Sequence, residues 1–381
     1  MLVKKICILG LDDYAMLSGE RGVIGGENVQ HVLLARAWRD LGIEVSMIVF
    51  EQGLPRDLEV DGIRVIQAFR PDVGVPGLRF FHPRISRTLL AMQRADADVY
   101  YQSPASPFTG VATWFARQRR KLSVVRIASD AGCVPGQQLM RLRRDRKLYD
   151  YGLRNASLIV AQTHHQQSLL RQHYGLASEV VNMAVEPAPR APSAPQDIDV
   201  LWVANFRPVK RPELVLELAR RLPHRNFAMI GGPLIGQEDS YTAARKAAAD
   251  VPNLKLLGPL PYAEAGAMFE RARLHLNTSE FEGFPNTFLQ AWVRSVPVVT
   301  FFDPDGLVRK KQLGCVASSV EEMAAALDAL LSDELRRKDM GARARAFASA
   351  EFLPWQVAGR CVELMETRLS TGLVHAATVD G

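Results

Sequence analysis

Short β-branched runs alternate with helical patterns along most of this chain, and one proline-rich stretch splits the alternation in two. KKICILGL reads as a strand. Asn28 to Leu41 reads as a helix, with Val29, Val32, Leu33, Ala37 and Leu41 on one face. Gly42 stops it, and IEVSMIVF follows as a buried strand. DVYYQ, LSVVRIAS and SLIVAQ continue the series, with helices expected over Thr109–Lys121 and Gln137–Arg154. Then VEPAPRAPSAPQDID places four prolines in one window, which forbids helix and central strand alike. The second half restarts with DVLWVAN, a helix over Glu213–Leu222, and the strands NFAMIGG, NLKLLGP, RLHLNTS and VPVVTF; from Val320 the pattern is nearly all helical. Repeated strand–helix units require parallel, doubly wound sheets. The expectation is α/β, with two Rossmann-like domains facing across a cleft. They cover residues 1–185 and 200–353, with a linker over 186–199. A C-terminal helix and tail over 354–381 are expected to return to the first domain.

A length of 381 residues supports two cores of this size. Hydrophobic content of 48% and charged content of 23% fit a globular protein rather than a disordered one. No apolar run reaches the roughly 20 residues that span a bilayer. The apolar N-terminal run is short and ends in Asp12 and Asp13. A first strand fits it better than a signal peptide, which predicts a cytoplasmic protein. Cys7, Cys133, Cys315 and Cys361 are far apart in sequence and form no Cys-x-x-Cys, so neither a disulfide framework nor a zinc site is expected. Charge is uneven. Residues 1–185 hold 24 Lys and Arg against 17 Asp and Glu, while the chain as a whole carries only +6. The basic runs are Arg117, Arg119, Arg120, Lys121 and Arg141, Arg143, Arg144, Arg146, Lys147. They read either as a solvated helix face or as a contact for anionic lipid or an acidic acceptor, peripheral at the inner membrane face. They lack the interleaved aromatic residues of a nucleic-acid groove, so no nucleic-acid partner is expected.

Three stretches after expected strands carry groups suited to an anionic ligand. Gly22-Val23-Ile24-Gly25-Gly26-Glu27-Asn28 opens the first long helix, where paired glycines allow close backbone approach and a helix N-terminus favours phosphate. It is not a G-x-G-x-x-G fingerprint. VANFRPVKRPELVL clusters Arg207, Lys210 and Arg211 before a helix; it reads as a basic loop with Pro212 at the helix start, or as a diphosphate clamp. SEFEGFPNTFLQAWVRSVPVVT joins a carboxylate, Glu282, to a Gly-Pro-Asn loop, a helix and a β-branched strand.

Together these stretches resemble retaining glycosyltransferases of the GT-B fold, similar to glycosyltransferase family 4 (group 1). The resemblance implies a metal-independent, hexosyltransferase-type enzyme that moves a sugar from a nucleotide diphosphate sugar, UDP- or GDP-linked, to a saccharide, lipid-linked or small-molecule acceptor. It implies no cofactor beyond that co-substrate. In the family two glutamates stand eight positions apart at the third stretch; here the pair is Glu282 and Gln290. The resemblance assigns Glu282 to donor-sugar hydroxyls and Gln290 to the ribose. The N–H groups of Phe284, Asn286 and Thr287 are candidates for sugar and phosphate. The family's clamp arginine is replaced by Asn205, with Arg207 two residues later, and its lysine is kept as Lys210. The Gly25-Gly26 loop joins Lys210 and Arg207 at the diphosphate. A histidine of the first domain is replaced by Ser129-Asp130, where Asp130 is either a sugar or acceptor ligand or a helix cap. Two other functions stand beside transfer: sugar-nucleotide binding without turnover, motivated by Asn205 and Gln290, and a GT-B sugar-nucleotide epimerase.

Asp96-Ala97-Asp98 and Asp303-Pro304-Asp305 match the D-x-D of metal-dependent transferases, but sit before a strand and in a turn, where structural roles are expected. His164 and His165 are adjacent and cannot share one helix face as metal ligands. No metal site is expected.

Overall fold

In the computed structural model the described residues are 1–20, 25–55, 58–189, 195–233 and 238–371. The chain forms two compact units. One comprises Met1–Ala184 with Pro354–Gly381, and the other Val185–Leu353.

The first unit holds an eight-stranded sheet. Its strands are β1 (Lys5–Leu9), β2 (Glu44–Val49), β3 (Glu59–Val60), β4 (Ile63–Gln67), β5 (Val99–Gln102), β6 (Leu122–Arg126), β7 (Leu158–Ala161) and β8 (Glu179–Val180), in the order β3-β4-β2-β1-β5-β6-β7-β8. Pairing is parallel except between β3 and β4. That hairpin, absent from the sequence reading, turns on Asp61-Gly62, both with positive φ, as a two-residue turn of this hand requires. The central strands are buried along nearly their whole length, which is why they read as unbroken apolar runs.

Helices Gly26–Asp40 and Pro107–Gln118 match the expected positions within a few residues, and a further helix, His164–Tyr174, follows β7. The helix expected over Gln137–Arg154 is corrected: it runs from Arg143 to Asn155, capped at Leu142. Gln138 is instead held by its side chain, donating to Asp150 and to the Tyr174 hydroxyl. The last helix, Pro354–Ser370, packs on helix Gly26–Asp40 and on β6 and β7. Trp38 Nε1 donates to Ala358 O at 3.2 Å.

The second unit holds six parallel strands: β9 (Ile198–Val203), β10 (Phe227–Ile230), β11 (Leu254–Gly258), β12 (Ala272–Asn277), β13 (Val298–Thr300) and β14 (Gly314–Val316), in the order β11-β10-β9-β12-β13-β14. β9 begins inside the stretch read as linker; residues 190–194 of that stretch lie outside the described residues. Val200, Trp202, Phe206, Phe227, Leu274 and Leu276 lie at the centre of its core.

All four cysteines are free thiols, three of them buried. No described helix is long and apolar enough to cross a membrane.

Candidate functional site

Strand order decides which loops meet. In the second unit the chain runs outward one way from β9 through β10 and β11, and the other way from β12 through β13 and β14. The loops leaving β9 and β12 therefore emerge side by side at the switch point of an open parallel sheet, where such folds bind ligands.

These two loops are Ala204–Arg211 and Thr278–Pro285, and several bonds join them. Trp202 Nε1 donates to Thr278 Oγ1 at 3.0 Å, Thr278 Oγ1 donates to Lys210 O at 2.6 Å, and Glu280 N donates to Val209 O at 3.0 Å. Phe206 anchors the first loop. It is fully buried, edge-on to Trp202 and Tyr241, with its N–H bonded to Gly232 O. Gly231 beside it must be glycine: its φ is +149°, and a Cβ there would lie 1.8 Å from Ala204 O.

On this frame Lys210 Nζ forms an ion pair with Glu282 Oε1, both side chains largely buried. Ser279 Oγ donates to the same carboxylate oxygen at 2.7 Å. The two groups singled out separately in the sequence thus form one constellation. Arg207 precedes the turn Pro208–Lys210, its carbonyl accepts from Lys210 N at 2.9 Å, and its Nε is buried with no hydrogen-bond partner. A buried donor without an acceptor is rare in a folded protein. Arg211 does not join the cluster; it takes a left-handed conformation before helix Pro212–Arg221, and its guanidinium lies over the Phe301 ring. Asn205 lies half-buried in the same loop.

Helix Asn286–Trp292 follows the second loop, with Pro285 as its cap. It is seven residues long. Asn286 and Thr287 occupy its first turn, half-buried, and Gln290 is buried on its second. The side chain of Phe284 is a core group against Trp292 and Phe352, so only its backbone is available to a ligand.

The first unit has its own switch point, between β1 and β5. Gly22, Val23 and Ile24 lie outside the described residues; Gly25 caps helix Gly26–Asp40. Gly25 N donates to Asn28 Oδ1 at 2.7 Å, Asn28 Nδ2 donates to Asp13 Oδ1 at 2.7 Å, and Asp13 Oδ2 meets His31 Nδ1 at 2.7 Å. Burial opposes a charge on His31, but the adjacent Asp13 carboxylate outweighs it and raises the imidazole above its ordinary value. Glu27, in the first turn of the same helix, accepts from Ser103 Oγ at 2.7 Å and from Gln162 Nε2 at 3.3 Å.

Asp130 begins the short turn Asp130–Cys133. It accepts from Gln166 Nε2 at 3.1 Å and lies 3.7 Å from His165 Nε2. Gln162 N donates to Gln166 Oε1 at 2.9 Å, so one chain of bonds runs from Glu27 to Asp130. Asp13, Glu27, His31, His165 and the two glutamines were not singled out from sequence as members of a site. Asp13, Gln162, His165 and Gln166 lie within five residues of a strand end, Glu27 lies in the glycine-rich stretch that opens the first long helix, and His31 lies one turn further along that helix with no signal of its own in the sequence.

The D-x-D pairs have structural roles. Asp98 accepts from the N–H groups of Lys4 and Lys5 and pairs with Lys121; Asp303 accepts from Val308 N. Among the described residues no cluster of His, Cys, Asp and Glu is arranged to hold a metal ion.

Residues 25–185 match the glycosyl transferase 4-like domain, and residues 188–347 match the glycosyl transferases group 1 model. The chain belongs to the group 1 glycosyltransferases. No curated protein sequence matches it. This glycosyltransferase has the fold of sucrose-phosphate synthase from Thermosynechococcus elongatus, at 15% identity and a TM-score of 0.77, covering 97% of this chain and 100% of that one. Anabaena HepE, solved with UDP and glucose, matches at 18% identity and a TM-score of 0.76 over 96% of this chain and 100% of that one. The pneumococcal O-GlcNAc transferase GtfA, solved with UDP and GlcNAc, matches at 12% identity and a TM-score of 0.70 over 97% and 100%. The glycosyltransferase therefore has the GT-B fold.

Proposed function

We propose that this glycosyltransferase transfers a hexosyl group from a uridine diphosphate sugar with retention at the anomeric carbon, and that the second unit holds the donor. The observation that carries the reading is the Lys210–Glu282 pair at the β9–β12 switch point, in the loop that also holds the unpartnered Arg207 Nε. A diphosphate there gains a point charge from Lys210 and supplies the acceptor that Arg207 lacks. Both stabilise the leaving group as the bond from the anomeric carbon breaks toward the phosphate oxygen. Glu282 and Ser279 hold sugar hydroxyls, Gln290 the ribose, and the N–H groups of Phe284, Asn286 and Thr287 complete the contact, with Asn205 lining the loop. UDP is taken as the nucleotide because the HepE and GtfA structures contain it.

The first unit supplies the acceptor side, where Asp130 orients an acceptor hydroxyl and the Gly25-Gly26 loop lets a ligand approach the backbone. The acceptor is a saccharide or lipid-linked saccharide, handled in the cytoplasm at the inner membrane face. Cations held by the chain take the place of a metal, so transfer persists in chelator, and no cofactor is needed. Activity abolished by EDTA and restored by manganese or magnesium would overturn that part.

Calorimetry with UDP, UDP-sugars and a GDP-sugar, paired with a UDP-release assay, tests the whole. The expected result is binding of UDP and of one UDP-sugar, with UDP released on turnover. Binding without any turnover, which Asn205 and Gln290 would favour, makes the protein a nucleotide-sugar carrier. Conversion of one nucleotide sugar into another without an acceptor makes it an epimerase. No binding of any nucleotide ends the proposal.

A further inference from the structure

Two crossover segments of the first unit leave apolar side chains in solvent. Residues 70–85 follow β4, and residues 127–142 follow β6, so both rise from the C-terminal edge of the sheet. Residues 71–79 are exposed without interruption. Val75, Leu78 and Phe81 are each more than 60% exposed; Leu139 is 87% exposed and Leu142 54%. The two segments are adjacent: the Arg144 guanidinium lies 3.3 Å over the Phe80 ring, and Phe80 meets Phe81 edge-on. A folded monomer gains nothing by presenting such groups to water, and contiguous exposed apolar surface marks a contact site.

The charge around these groups has one sign. Asp72 is paired with Arg70, and Asp145 with Arg144. That leaves Arg79, Arg87, Arg141, Arg143 and Lys147 exposed, none with an ion-pair partner among the described residues. Apolar side chains on loops, ringed by unpaired cations, fit a surface that is anionic at its face and hydrocarbon just beneath.

We infer that the paired segments 70–87 and 139–147 dock the first unit onto an anionic phospholipid bilayer. The cations engage headgroup phosphates, and Leu78, Phe81, Leu139 and Leu142 enter the headgroup–acyl boundary. This names the surface behind the membrane-face setting proposed above. It rests on exposure and charge in the first unit alone and needs no donor.

Flotation of the full chain with vesicles tests it. Vesicles of phosphatidylcholine alone are compared with vesicles containing about 30 mol% phosphatidylglycerol, at low salt and again near 0.5 M, where charge is screened within about 4 Å. The wild-type chain is expected to float with the anionic vesicles at low salt, to be released by high salt, and to ignore the neutral ones. At about fivefold per cation, Arg141→Gln, Arg143→Gln and Lys147→Gln together lower partitioning about a hundredfold. Leu78→Ser with Leu139→Ser lowers it at unchanged charge, whereas Leu335→Ser, an equally exposed site in the second unit, does not. Unchanged thermal midpoints confirm that each variant is folded. Three results overturn the inference: no flotation with anionic vesicles, flotation that the patch variants leave intact, or a vesicle-free dimer that the patch variants dissociate. UDP release from a donor, measured without vesicles, separates failure here from failure of the transfer reading.

Discussion

Lys210 and Glu282 stand 72 positions apart in the chain, yet one carboxylate oxygen is shared between the lysine ammonium and the Ser279 hydroxyl. Glu282 therefore neutralises the cation that a diphosphate would use. Lys210→Ala is expected to weaken UDP binding by about 1.5–3 kcal/mol, the scale of a hydrogen bond to a charged group. Glu282→Gln keeps the shape and removes the opposing charge, so UDP affinity should hold or rise while transfer falls. Calorimetry with UDP beside steady-state turnover reads both; a Glu282→Gln variant that loses UDP affinity as Lys210→Ala does would sink the assignment. His275 offers a separate test. Its Nδ1–H donates to Leu201 O at 3.0 Å, and it is fully buried between Phe269 and Phe288. Burial drives its pKa down from 6.5 to about 4. The unfolded chain then binds the proton more readily. Stability should fall as pH drops through 6.5 and level off near 4, by roughly 3 kcal/mol at most. His275→Gln keeps a donor for Leu201 and does not titrate. Denaturant midpoints at neutral and mildly acid pH should show a shallower slope for this variant, and an unchanged slope would assign the acid sensitivity to other groups.

Among elements, helices Pro107–Gln118 and Arg143–Asn155 approach each other through glycine. A Cβ on Gly110 would lie 2.3 Å from Leu148 O, and one on Gly152 would lie 2.5 Å from the Thr109 carbonyl carbon. The backbones are in contact, which fixes the basic helix and the segment before it that carries Asp130. Helix propensity alone predicts that Gly→Ala stabilises a helix by up to about 1 kcal/mol. At Gly152 the sign should reverse, with a loss of about 1–3 kcal/mol from overpacking. Gly359, in helix Pro354–Ser370, has nothing within 4 Å of its would-be Cβ, and Gly359→Ala should follow propensity. Urea midpoints compare the two; equal gains would mean that the helices separate without cost.

At the scale of the whole molecule, chain order and spatial order part company. Helix Pro354–Ser370 comes after the second unit but belongs to the first, covering Trp38 and burying Val357, Ala358, Cys361, Val362 and Met365. Ending the chain at Leu353 should strip the first unit of this cover and leave the second intact. Limited proteolysis would then digest residues 1–184 and spare a fragment beginning near Val185. Equal protection of both fragments would show that the helix adds little.

Local patterning determined most of the fold. Strands buried on both faces must be continuous apolar runs, amphipathic helices must repeat at 3.6, and four prolines cannot lie inside either, so the two-unit α/β plan follows from the residues themselves. The resemblance to family 4 likewise rested on local motifs around Lys210 and Glu282, and the family models bear it out. Pairing was not legible. That Glu282 binds Lys210, that Arg211 lies over Phe301 instead, and that Gln162 and Gln166 link Glu27 to Asp130 all depend on which strands are neighbours. Neighbouring strands are chosen by packing across the entire sheet, a property no short window of sequence contains. The same holds for the apolar surface at Leu78 and Leu139: a leucine in sequence reads as core, and only the tertiary structure decides that these two remain outside.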